Sequence, residues 1–152
     1  PTRVYAATGT GGTLAGLVAG HQALEAGPEI VGVAVSRKDD GYEGRCAALA
    51  NASLAWLGSD VRVTADDFTV DRGYFEPGYE QPNEAANEAI RLLARTEGLL
   101  TDPVYTGKAF AGLLDHIRTG KIRSGETVVF WHTGGATALF AEQAILGNLA
   151  DK

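Results

Sequence analysis

Gly9, Gly11 and Gly12, with Thr10 between them, separate the apolar segment Arg3–Ala7 from an Ala- and Leu-rich stretch that opens at Thr13. Glycine admits backbone conformations closed to other residues, so a strand ending here can turn within a few residues and enter a helix. Leu14, Leu17, Val18 and Leu24 give Thr13–Ala26 a helical spacing, and Gly27-Pro28 ends it. Ile30–Val35 follows as a near-continuous apolar run, the pattern of a strand buried on both faces. Strand, glycine turn, helix and strand make a right-handed parallel crossover. That unit restricts the chain to an α/β architecture.

The remaining segments extend the alternation. Tyr42–Leu57 reads as a second helix and Val61–Val63 as a third strand, while the aromatic Phe68–Gln81, ending in Gly and Pro, is the least regular part. Asn83–Glu97 is a strong helix, with Asn83 as N-cap and Ala86, Ile90, Leu93 and Ala94 on one face. Leu99–Tyr105 reads as loop or short strand, Lys108–Thr119 as helix, Thr127–Trp131 as strand, and Thr137–Leu146 as a last helix after Gly134-Gly135. The expected fold is a three-layer α-β-α arrangement around a mainly parallel sheet, in one domain over 1–152 without internal repeats.

A net charge of −6 disfavours nucleic acid or an anionic membrane as partner. No apolar run approaches the roughly 20 residues that span a bilayer. A single cysteine, Cys46, allows no intramolecular disulfide, which suits a cytoplasmic location; within its Ala/Leu-rich stretch it reads as inert packing. His21, His116 and His132 show no metal-ligand spacing with one another or with Cys46, so no metal site is expected.

The glycine turn carries the chemistry. Backbone N–H groups converging at the N-terminus of a helix bind phosphate without any lysine or arginine, and Thr10 and Thr13 add hydroxyls. The P-loop pattern fails because no Lys-Ser/Thr follows the glycines, and the dinucleotide fingerprint fails because Leu14 occupies its third glycine position. Ser36-Arg37-Lys38, at the end of the second strand, keeps an NADP-binding module or another phosphate-ligand module open as the alternative.

Longer motifs narrow the choice. Gly9-Thr10-Gly11-Gly12-Thr13 resembles the phosphate loop of the fold type II (tryptophan synthase β-like) pyridoxal-phosphate enzymes. The stretch 95–109, from Arg95-Thr96-Glu97-Gly98 to Tyr105-Thr106-Gly107-Lys108-Ala109, is similar to the D-cysteine desulfhydrase and 1-aminocyclopropane-1-carboxylate deaminase subgroup. Val129-Phe130-Trp131-His132-Thr133-Gly134-Gly135 and Gly78-Tyr79-Glu80-Gln81-Pro82-Asn83-Glu84 resemble a late strand and turn and the substrate-side tyrosine loop of the same enzymes. Deaminases of the subgroup carry glutamate and leucine where this chain has Thr106 and Thr133, so the desulfhydrase pattern is the one resembled. A threonine hydroxyl beside the pyridine nitrogen gives a weaker electron sink than a glutamate, enough for α-proton removal and loss of a β-thiol.

The resemblance implies residue roles. Backbone N–H groups of Gly9, Thr10, Gly11, Gly12 and Thr13 would hold the phosphate of pyridoxal phosphate. Thr133 and Thr106 would face the pyridine nitrogen, and Tyr79 and Tyr105 would line the substrate side as the catalytic pair. Lys108 reads as structural, an anchor for a carboxylate such as Asp102, and His132 as a satisfied buried histidine. The implied reaction converts D-cysteine to pyruvate, sulfide and ammonia. Family enzymes are about twice as long, and the reactive lysine, the substrate-carboxylate loop and the small domain lie in their N-terminal half. The expectation is therefore a C-terminal portion that is inactive alone and that forms a homodimer or pairs with an N-terminal half.

Overall fold

The computed structural model describes residues 1–25 and 27–141. Among these residues four strands and five α-helices succeed one another: β1 (Arg3–Thr8), α1 (Gly12–Ala23), β2 (Glu29–Ala34), α2 (Tyr42–Trp56), β3 (Thr69–Asp71), α3 (Glu84–Glu97), α4 (Thr106–Arg118), β4 (Val128–Trp131) and α5 (Ala136–Leu139), with one 3-10 turn at Ala65–Asp67. The last helix expected from the sequence continues to Leu146, and residues 142–146 lie outside the described part.

All strand pairs are parallel, and the sheet runs in the order β3-β2-β1-β4. Side chains alternate across the strands, so each face buries its own set. Val4 and Ile30 face Leu14, Val18, Tyr42, Cys46 and Leu54 of α1 and α2. Tyr5, Val31 and Val33 face Ala109 and Leu113 of α4 on the other side. The result is the three-layer α-β-α arrangement that the alternating segments imply.

α3 shows how local signals set a boundary. Asn83 adopts an extended backbone, and its side-chain oxygen accepts from Ala86 N at 2.7 Å, capping the helix. Gly98, in the left-handed region, ends it, and Ile90 and Leu93 form the buried stripe.

One expected strand moves. Val61–Val63 does not join the sheet; β3 is Thr69–Asp71 instead. The backbone of Val63 is served by one side chain: Asn51 Nδ2 donates to Val63 O at 2.7 Å, and Val63 N donates to Asn51 Oδ1 at 2.9 Å. The amide of Asn51 imitates a neighbouring strand, so the segment satisfies its polar groups without a ladder. Val63 itself is buried in the α1–α2 layer.

Candidate functional site

The strand order places a site before any side chain is considered. From β1 the chain moves outward through β2 to β3, then returns to lay β4 against the other side of β1. Such a reversal opens a crevice beyond the carboxyl ends of β1 and β4, where ligands of open α/β sheets bind. Residues 9–13 leave the end of β1 and residues 132–135 leave the end of β4.

A cavity of about 320 Å³ fills that crevice, lined by Ala7, Thr8, Gly9–Thr13, Tyr105 and Thr133. α1 begins at Gly12 with no side-chain cap and no acidic residue in its first turn. Its leading N–H groups have no intrahelical partner, so they remain for an anion drawn by the positive end of the helix dipole. Gly11 has φ +100°, and a Cβ on it would lie 2.5 Å from Cys46 Sγ. Both facts demand glycine there. Beneath the loop, Thr8 Oγ1 and Tyr42 Oη share a hydrogen bond of 2.6 Å. Burial pushes the Tyr42 phenol up to about 12 and raises the Cys46 thiol as well, which suits an inert thiol packed behind the loop.

Asp102 organises the opposite wall. Its carboxylate accepts from Val104 N at 2.9 Å, Tyr105 N at 2.7 Å, Thr106 N at 2.8 Å and Thr106 Oγ1 at 2.6 Å. Three backbone donors leading into α4 are thereby satisfied, those of Tyr105 at the N-cap and Thr106 at the first helical position among them. The buried Thr106 hydroxyl also accepts from Asp102 N at 2.9 Å, so it sits a layer behind the cavity that Thr133 lines. His132 accepts from Gly134 N at Nδ1 (3.0 Å), which leaves Nε2 to donate to Leu100 O at 2.8 Å. Both ring nitrogens are satisfied as expected, but the ring is exposed rather than buried, because its partners lie in the surface loops at Leu100 and Gly134.

The two expected tyrosines meet. Tyr79 Oη and Tyr105 Oη are hydrogen-bonded, with the rings edge-on and 5.9 Å between centroids. The bond from Tyr79, with burial, raises the Tyr105 phenol to about 12. Tyr105 also covers the start of the cradle, since a Cβ on Gly9 would lie 3.3 Å from its Cε1.

Lys108 does not grip Asp102. Its buried amine donates to Gly78 O at 2.7 Å and Phe75 O at 3.3 Å, because the carboxylate is already filled by the backbone of its own turn. Lys38 is turned onto Ser36 Oγ at 2.6 Å and over the Tyr42 ring, and Arg37 pairs with Glu76 at 3.9 Å. Lys121 approaches Asp71 and His116. Among the described residues no lysine lines the cradle cavity.

The family model of the pyridoxal-phosphate dependent enzymes matches residues 1–134. The chain belongs to this pyridoxal-phosphate dependent family. Within the family it is 46% identical over 138 residues to D-cysteine desulfhydrases of Yersinia enterocolitica and Salmonella typhi, matching 91% of this chain and 41% of each relative. A crystal structure described as that of an ACC deaminase homologue superposes with a TM-score of 0.82 at 34% identity, covering 95% of this chain and 43% of that one. The chain thus spans about two fifths of the length of the relatives it matches, within the desulfhydrase and deaminase subgroup.

The cradle fits the cofactor that gives the family its name. The free N–H groups at the start of α1 suit a phosphate, and Thr133 lines the same cavity. A larger cavity of about 400 Å³ lies among β1, β2, β3 and the end of α4. Its ionisable side chains are already engaged: Arg3 with Glu29 and His116 Nε2 with Asp71 Oδ2, both at 2.8 Å, and Arg72 with Glu43 at 2.6 Å.

Sequence reading passed over Asp102 as an organiser and Tyr42 as the floor of the cradle. The available signal for Asp102 was an aspartate directly before a proline and a helix start. Nothing local marks Tyr42, because its partner Thr8 is distant in sequence.

Proposed function

We propose that residues 1–152 form one cofactor-binding unit of a pyridoxal-phosphate-dependent carbon–sulfur lyase acting on D-cysteine. The reaction takes up one water and releases pyruvate, sulfide and ammonia. The observation that carries the reading is the convergence of Gly9–Thr13, Thr133 and Tyr105 on one cavity at the β1/β4 switch point. Threonines at 106 and 133 favour the desulfhydrase over the deaminase.

When bound, pyridoxal phosphate supplies an electron sink for the pair left at the substrate's α-carbon. The chain does the rest. Backbone N–H groups of residues 9–13 hold the phosphate, and Thr133 offers a neutral hydroxyl to the ring nitrogen with Thr106 a layer behind. Two phenols sharing one hydrogen bond leave a single outward O–H. Reversing the bond changes which oxygen presents it, so Tyr79 and Tyr105 can deliver or take up a proton at either position. A phenol held near 12 remains a donor at neutral pH.

With no lysine lining the cradle among the described residues, the chain alone binds the cofactor without covalent attachment and turns over no substrate. Its working form pairs with a segment that supplies the lysine, and two such units associate as a homodimer. Equilibrium dialysis with pyridoxal phosphate and NADPH tests the reading. Saturable binding of pyridoxal phosphate alone, lost in Gly11→Ala, is expected; binding of NADPH alone would overturn it.

A further inference from the structure

We propose that Lys108 is a positioning residue for the tyrosine pair: its buried ammonium grips the loop before Tyr79 and so sets that phenol against Tyr105. The proposal's relevance to catalysis rests on the function proposed above, but its first test does not.

Lys108 is fully enclosed. Among the described residues no carboxylate lies within ion-pair distance of its amine, and Asp102 supports the charge only through space. Burial accordingly pushes its pKa down. A methionine would fill the same volume without that desolvation cost. What the amine provides instead is two directional donors, at 2.7 Å to Gly78 O and 3.3 Å to Phe75 O.

Those carbonyls belong to a loop with little ladder bonding of its own. Asn83 Nδ2 takes two others in the same stretch, Tyr74 O at 3.0 Å and Glu76 O at 2.9 Å. Asn83 fastens the loop to α3, and Lys108 fastens it to α4. Tyr79 follows Gly78 directly, and Tyr105 stands one turn before Lys108 at the N-cap of α4. The same helical turn therefore carries one phenol of the pair and the tether of the other. Shifting the amine moves Tyr79 relative to Tyr105 while the cradle at α1 keeps its own supports.

The test is a double-mutant cycle on the full chain, with the phenols followed by NMR of 13Cζ-labelled tyrosine across alkaline pH. In the parent chain the Tyr105 signal is expected to titrate at about 12. Lys108→Met is expected to bring it down toward the ordinary value of about 10, as Tyr79→Phe does by removing the partner. In the Tyr79→Phe background, Lys108→Met is expected to shift Tyr105 no further, because the lysine acts through Tyr79. Chymotryptic cleavage at Phe75 and Tyr79 should accelerate in Lys108→Met. A Tyr105 titration unmoved by Lys108→Met, or moved equally in both backgrounds, overturns the proposal. Should Lys108→Met fail to fold, the same cycle is run with Lys108→Gln, which keeps a neutral donor. Loss of pyridoxal-phosphate binding in the parent chain would sink the functional reading and leave this result standing.

Discussion

Asp102 stands directly behind Gly135: a Cβ built on the glycine would lie 2.6 Å from the carboxylate's Oδ1. The turn that carries Thr133 is thus seated on the carboxylate that starts α4, and the two walls of the cavity share one support. Gly135 also has φ +89°, a conformation that costs an L-residue about 1–3 kcal/mol. Gly135→Ala should therefore lower stability by at least that range in urea titration, and should weaken pyridoxal-phosphate binding through displacement of Thr133. Unchanged affinity in a folded Gly135→Ala chain would mean that Thr133 does not face the cofactor.

Replacing Asp102 removes the acceptor of three backbone N–H groups and of the Thr106 hydroxyl. Buried donors left unpaired carry most of the loss, on the order of 2–3 kcal/mol for Asp102→Ala. Asp102→Asn keeps one acceptor oxygen and should lose less. Urea midpoints at constant slope decide between them.

Gly11 and Cys46 should be energetically coupled. Gly11→Ala combines a left-handed φ with a methyl 2.5 Å from Cys46 Sγ, and is expected to weaken phosphate binding at least about tenfold. Cys46→Ala relieves the contact and not the backbone strain. The double variant should recover part of the affinity, and additive effects in the cycle would place the damage in the backbone alone.

Alkaline pH should lower the stability of the chain through its enclosed phenols. Tyr42 is pushed up to about 12 by burial, against an unfolded value of about 10. Below pH 10 the phenol is neutral in both states and its contribution to stability is complete. Between about 10 and 12 the unfolded chain loses its proton first, so stability falls as pH rises through that window. Tyr105 shares the direction but contributes less, being partly exposed and screened. Stability measured by urea in steps above pH 9 should decline less steeply in Tyr42→Phe than in the parent chain.

Much of the fold was legible because its signals are local. Glycines between an apolar strand and an Ala-rich helix predict the β1–α1–β2 unit, and Asn83 before an amphipathic run predicts α3 almost to the residue. β3 was not legible: Thr69-Val70-Asp71 has one apolar residue, and its pairing is owed to β2 rather than to any pattern of its own. Val61–Val63 has the better strand pattern, yet a distant side chain took its backbone groups. The site divides in the same way. Gly9–Thr13 announces an anion cradle on its own, and the resemblance, not periodicity, pointed to Thr133 and the tyrosines. The Lys108 tether was misread because which acceptor a buried amine meets depends on tertiary structure. Asp102 was spent on its own turn, and two carbonyls about thirty residues earlier in the chain remained.

The parallel pairing of β1 with β4, in which Arg3 lies opposite Val128, has a kinetic consequence. Closing so long a stretch of chain costs loop entropy before the contact returns anything, and such pairings slow folding. The Gly9–Thr13 cradle can form with the early β1–α1–β2 unit, but Thr133 reaches it only when β4 docks. Full occupancy of this crevice by a ligand would therefore act as a chemical clock for the completion of folding, trapping chains in which the two ends of the sequence have found each other.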